Sequence, residues 1–241
     1  MTDNTSSFNM STAVRAMDGA ISRMVQSVLS APANLAAELD GFQQVRAQTL
    51  AMLGELTEAQ AMWSPRPGVW SVAQIADHLL RSEDIYRDQF QRVIRLSQEG
   101  KGTSVQVSLR DMDMSPAIIP REILPLFETP LRIFNYFVPA VLRETMVRFR
   151  IVPALNPKVS EPRAGLALGS LRESLAAAVR ATAELFQQPL PANVERLTID
   201  HALMGNNTIP GTFRIMTAHE ERHQAQITEL RALAGFPHAA A

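Results

Sequence analysis

Apolar positions recur at intervals of three and four along most of the chain, the spacing that lines one face of an α-helix. Val14, Met17, Ile21, Met24 and Val28 form the first such stripe and predict an amphipathic helix over residues 11–29, ending before Pro32. Leu35, Leu39, Phe42, Thr49, Leu53 and Leu56 predict a stronger one over 34–56, with a largely polar outer face. Ile75, His78, Ser82 and Ile85 share one face of a helix predicted over 71–98, with Leu79 and Tyr86 beside them. Leu171, Leu175, Ala178 and Leu185 do the same over 170–188, where Thr182 is the one polar member of the stripe. Phe213, Met216, His219, His223, Ile227 and Leu230 mark a last helix over 212–234. Long amphipathic helices without a convincing sheet predict an all-α protein, an up-and-down four-helix bundle with an extra N-terminal helix and a helical insertion.

The segments between the stripes divide the chain further. A short turn at Thr57–Gln60 leads into Trp63–Ser71, where Pro65, Pro67 and Gly68 disfavour helix and predict a stiff connection. On composition its two Trp read as core anchors. Ser71 and Gln74 then form a capping-box pattern that fixes the start of the next helix. Residues 102–110 alternate weakly through Val105, Val107 and Leu109, as a short extended segment would. Beyond them Pro120, Pro125, Pro130 and Pro139 break a bulky apolar region into short helical pieces, either an extra core layer or a lid over a pocket. Pro189, Pro191 and a loop over 201–211 precede the last helix. The expected organisation is a tail and accessory helix at 1–33, followed by a bundle domain at 34–236 that includes an insertion at 100–161. The accessory helix suits covering the core or contacting a second copy in a homodimer. A membrane surface suits it less, because its polar face is not rich in Lys and Arg.

Composition narrows the function classes. With 241 residues and 46% hydrophobic content the chain can bury one substantial core. A net charge of −1 with scattered Lys and Arg offers no footprint for nucleic acid. The absence of Cys excludes disulfides, thiolate metal sites and a cysteine nucleophile, leaving His and carboxylates as the strong ligands. The apolar run Ile133–Leu142 is too short to span a bilayer, so no integral membrane segment is expected. The N-terminal residues lack the basic-then-apolar pattern of a secretory signal, and the chain reads as cytoplasmic.

The chemistry concentrates in His219, Glu220, Glu221, Arg222 and His223. Two imidazoles four residues apart on a helix stand one above the other and can close on one ion. The same letters spell the zinc-protease pattern H-E-x-x-H, but nothing downstream supplies a third ligand: Glu229 is on the same helix and His238 lies in an Ala-rich tail. A third ligand must come from upstream, and His78 is the best placed. Three neutral imidazoles with an open position suit Zn²⁺, Ni²⁺ or Fe²⁺. A lone inward His is more often a hydrogen-bonded core residue, yet three of five on inward faces, two of them at helical spacing, favour a metal. His201 and His238 carry no such geometry and read as loop residues. Glu83 and Glu220 lie close in sequence to the ligands. They are candidates for a catalytic base, although Glu220 falls a quarter turn from the His219 face and both read better as surface or supporting residues.

Trp63, Pro65, Pro67, Gly68, Trp70, Ser71, Gln74 and His78 resemble the W-x-P-x-P-G-x-W-S entry to the second helix of the DinB/YfiT-like superfamily. His219, His223 and Gln226 are similar to its H-x-x-x-H-x-x-Q helix, and His201 with Gly205 resembles a loop element before it. Together these cover roughly residues 35–98 and 171–234. The resemblance implies a four-helix bundle with a divalent metal on His78, His219 and His223, in agreement with the periodicity. Members include S-transferases that use low-molecular-weight thiols, a maleylpyruvate isomerase, and many proteins of unassigned activity grouped as metal-dependent hydrolases. The implied function is a metal-dependent hydrolase or thiol S-transferase acting on a small-molecule substrate, in the second case with the thiol as cosubstrate. The competing expectation is a non-catalytic, stress-associated binding module whose metal is structural or absent. The N-terminal helix and residues 100–161 depart from the compact family pattern and bear on pocket shape.

Overall fold

Each of the last four stripes folds as a long helix, and a short one joins the first two. In chain order the helices are α1 (Leu35–Gly54), α2 (Glu58–Met62), α3 (Val72–Gln98), α4 (Leu168–Leu185) and α5 (Ile209–Arg231). The computed structural model describes residues 34–108, 111, 158–202 and 204–237. The stripe at 11–29, most of the segment 100–161 and His238 lie outside the described residues.

The helix ends show why the chain starts and stops where it does. Asn34 caps α1 by accepting from the backbone N–H of Ala36, and Glu195 accepts from that of Leu35 at 3.0 Å. The residue before α4 is Ala167, which has no side chain to cap with. Glu58 of α2 supplies the acceptor instead, taking the N–H of Leu168 at 3.0 Å on both carboxylate oxygens. A helix therefore stands where only a turn was expected at 57–60, and it serves the start of α4. Helix α5 begins three residues earlier than its stripe suggested, because Pro210 sits in its first turn, where no N–H is needed, and Thr208 caps it.

The all-α expectation needs one correction. Strands β1 (Ser104–Val107), β2 (Thr198–His201) and β3 (Gly205–Thr208) form a small sheet in that order, β1 parallel to β2 and β2 antiparallel to β3. The weak alternation at 102–110 is thus a strand, and much of the stretch read as a loop at 201–211 is a hairpin arm and the start of α5. Val105, Val107 and Ile199 are buried in the core, and that burial holds a sheet whose β3 residues, Gly205, Asn206 and Asn207, are poor strand formers. Gly205 takes φ +72° opposite His201, a conformation glycine adopts without penalty. His201 is therefore a strand residue, and its Nδ1 accepts the N–H of Met204 at 3.2 Å across the turn.

Helix α1 packs chiefly against α5 and α4, and α3 against α4 and α5. An up-and-down order would pair α1 with α3 and α4 with α5. The connection from Glu55 to Ser71, with α2 inside it, is long enough to carry the chain past its nearest neighbour. Two apolar clusters result. One gathers Phe42, Phe90, Phe213 and Met216 with the sheet residues, and the other Leu53, Ile75, Leu79, Leu175, Ile227 and Leu230. Each long helix also contributes buried polar residues: Arg46 and Thr49 from α1, His78 and Glu83 from α3, Thr182 from α4, Glu220 and His223 from α5. Among the described residues no helix is long and apolar enough to cross a membrane.

Candidate metal centre

The entry to α3 sets the position of His78. Gly68 turns the chain with φ +82°, and the Ser64 hydroxyl closes the loop by donating to the carbonyl of Val69 at 2.6 Å. Ser71 and Gln74 then form the expected reciprocal cap, each side chain accepting the other's backbone N–H at 3.3 and 3.0 Å. This fixes the rotational phase of α3 over its first turns, and His78 comes out on the inner side, 3% exposed.

His78, His219 and His223 converge. The Nε2 of His219 lies 3.2 Å from that of His78 and 3.1 Å from that of His223, and all three ligand atoms fall within 4.8 Å of one another. Three nitrogens at metal–nitrogen bond length around a tetrahedral ion stand about 3.3 Å apart. Tautomers follow from the partners of the far nitrogens. The Nδ1–H of His78 donates to the carbonyl of Ser160 at 2.7 Å, and the Nδ1–H of His223 to Oε1 of Gln226 at 3.0 Å. The Ser160 carbonyl cannot donate and Gln226 presents its amide oxygen, so with these partners both rings carry their proton on Nδ1 and turn a lone pair on Nε2 toward His219. One proton on His219 Nε2 cannot serve both contacts well, whereas one cation accepts all three lone pairs. The three nitrogens could together hold one metal ion.

The surroundings favour the neutral form of His78 and His219. Burial first, then His223, His78 and the Arg222 and Arg46 guanidiniums, holds the His219 imidazole well below its usual range. Burial also lowers His78, outweighing the Ser160 hydrogen bond. Trp70 lies over the trio, its ring centroid 5.0 Å from that of His78 and 6.5 Å from that of His223. Composition made it a core anchor. It packs on the core, and it also walls the site.

Glu83 and Glu220 are not at the surface. Glu220 takes Nε and Nη2 of Arg46 at 2.6 and 2.7 Å, and Glu83 takes Nη1 at 2.7 Å and the Thr182 hydroxyl at 2.7 Å. All three charged residues are within 2% of complete burial. Both oxygens of each carboxylate are engaged, an arrangement suited to holding structure rather than accepting a substrate proton. Arg46 escaped the sequence reading because a charged residue on a helix is ordinarily solvated. Its signal was position, since it falls four after Phe42 and three before Thr49 on the stripe that buries α1.

With this geometry in view, the comparisons give one result. A DinB superfamily model matches residues 41–227, more than three quarters of the chain. The chain belongs to the DinB superfamily. No curated protein and no solved structure matches it. The matched span of this DinB protein contains all three histidines, the capped entry to α3 and the ion cluster on Arg46.

One pH dependence follows for the metal-free DinB protein. A histidine held below its ordinary value in the folded state is protonated first in the unfolded chain, so stability is lost as pH falls. Full stability is expected above the unfolded value of about 6.5, with progressive loss below it. Thermal melts of chelator-treated protein at about pH 7.5 and about pH 5.5 check this; a midpoint equal or higher at the lower pH contradicts it.

Proposed function

We propose that the chain is a metal-dependent enzyme, a four-helix bundle in which His78, His219 and His223 hold one divalent ion and a small-molecule substrate is hydrolysed or receives a thiol. The observation that carries this reading is the convergence of three imidazole nitrogens, two with their tautomer fixed for binding. An ion there supplies Lewis acidity, which polarises an electrophile or lowers the pKa of an oxygen or sulfur nucleophile. The protein's own part is to present neutral ligands, hold their orientation through Ser160 and Gln226, and cover the rings with Trp70. Without Cys in the chain, a thiol would arrive as a low-molecular-weight cosubstrate. We place this enzyme in the cytoplasm, with residues 1–33 as an accessory element suited to a homodimer contact.

Elemental analysis of the purified protein, followed by turnover assays on two panels, tests the proposal. About one Zn, Ni or Fe per chain is expected, with activity either on esters and amides or on thiol conjugation. Activity confined to the thiol panel identifies a transferase and excludes hydrolysis as the main reaction. Stoichiometric metal with no turnover on either panel would leave a binding module.

A further inference from the structure

The short segment at the end of the region 100–161 is tied to α3 at the level of the first ligand. Lys158–Ser160 forms a 3₁₀ turn, closed by the N–H of Glu161 on the carbonyl of Lys158 at 3.1 Å. Three residues of α3 then grip it. The Nδ1–H of His78 donates to the Ser160 carbonyl at 2.7 Å, Nη2 of Arg81 to the Val159 carbonyl at 2.8 Å, and Asp77 accepts both the backbone N–H of Arg163 at 2.7 Å and its Nη2 at 2.6 Å. Asp77 is fully buried and Ser160 nearly so, while the Arg163 side chain is 55% exposed.

We propose that Lys158–Arg163 is a positioning clamp for His78, locked by the Asp77–Arg163 ion pair, which sets the tautomer and ring orientation of that ligand. A backbone carbonyl is a fixed acceptor that no side-chain change alters; only displacement of its segment removes it. The segment is short and mostly polar, and these hydrogen bonds and the ion pair tie it to α3. Arg163 therefore acts through Ser160 on His78 as a positioning residue, two contacts away from the ion. The region that departs from the compact family pattern gains a role: its last residues complete the support of the metal centre. Outer partners of metal-bound histidines fix the ring and tune affinity, and losing one commonly weakens metal binding by about tenfold or more.

The inference rests on the proposed metal site, and the test separates the two. Wild type, Arg163→Ala and Arg163→Lys are compared by Zn²⁺ competition against a chromophoric chelator and, free of metal, by nitrogen-15 NMR of the imidazoles. Arg163→Ala removes a mostly exposed side chain, so the fold should persist. Its Zn²⁺ dissociation constant should rise about tenfold, the protected Nδ1–H signal of His78 should broaden or vanish, and Arg163→Lys should restore most of both. Unchanged affinity with an unchanged His78 signal overturns the clamp, even if Arg163→Ala melts earlier. If wild type fails to bind Zn²⁺, the metal reading falls and the clamp is decided by the metal-free signal alone: its loss in Arg163→Ala supports the clamp and its persistence overturns it.

Discussion

Replacing His219 by Ala should empty the proposed metal centre while leaving the helices standing. His219 is the hub of the trio, since its Nε2 is the atom that both other rings approach, at 3.2 and 3.1 Å. Loss of a direct ligand should weaken binding by more than the roughly hundredfold that the loss of an outer partner can cost. The metal content of the purified variant should drop from about one ion per chain to background. Folding should be spared, because the residues above and below the trio belong to apolar clusters that need no ion. The metal-free variant should remain cooperatively folded, because the substitution leaves the packing of both apolar clusters untouched. Added Zn²⁺ should separate the two proteins. At a free concentration one hundred times the dissociation constant, wild type gains about 2.7 kcal/mol of stability and the variant almost none. Equal metal content in both proteins, or equal stabilisation by Zn²⁺, would remove His219 from the site and the proposed chemistry with it.

The parts of this fold that could be read from the sequence are those whose signal is local. The Ser71/Gln74 cap is four residues long, needs no tertiary information, and forms as its letters predict. His219 and His223 meet because a helix alone fixes their spacing. His78 joins them across 141 residues, which periodicity could suggest only by placing it on an inner face. What escaped the sequence reading depends on partners far along the chain. The hairpin of β2 and β3 has Asp200, Asn206 and Asn207 among its residues, and its stability comes from pairing with β1 and from burial beneath the helices. Glu58 caps a helix 110 residues away. Ser160 supports His78 through a backbone carbonyl, an acceptor every residue carries, so no letter in the sequence marks it. Gln226 is the opposite case: the family pattern singles it out, and the geometry supplies the reason, a hydrogen bond that orients His223.

The cluster on Arg46 makes the largest prediction for stability. Arg46 joins α1 to α3 through Glu83 and to α5 through Glu220, with side-chain exposures of 1% for each partner of both pairs. Burial works against its charge, but Glu220 and then Glu83 outweigh this and hold the guanidinium above its ordinary pKa. Arg46→Met keeps much of the volume and removes the charge, leaving two buried carboxylates facing each other without a cation. Breaking a buried pair from one side costs about 3–5 kcal/mol, because the remaining charge has neither water nor partner. Replacing all three, as Arg46→Met with Glu83→Leu and Glu220→Leu, removes the charges together and should recover most of that loss. The sign of the pH effect adds a second check. Burial already pushes the Glu83 carboxyl above its usual range despite the pull of Arg46, and deleting Arg46 pushes it further. A carboxyl whose folded pKa is raised binds protons more readily in the folded state, so stability rises as pH falls toward the unfolded value of about 4.3. The deficit of Arg46→Met against wild type should therefore shrink between about pH 7 and about pH 5. Urea unfolding at the two pH values measures it. A single variant within about 1 kcal/mol of wild type, or a deficit that grows on acidification, would mean that water reaches these carboxylates and that the cluster on Arg46 is not dry.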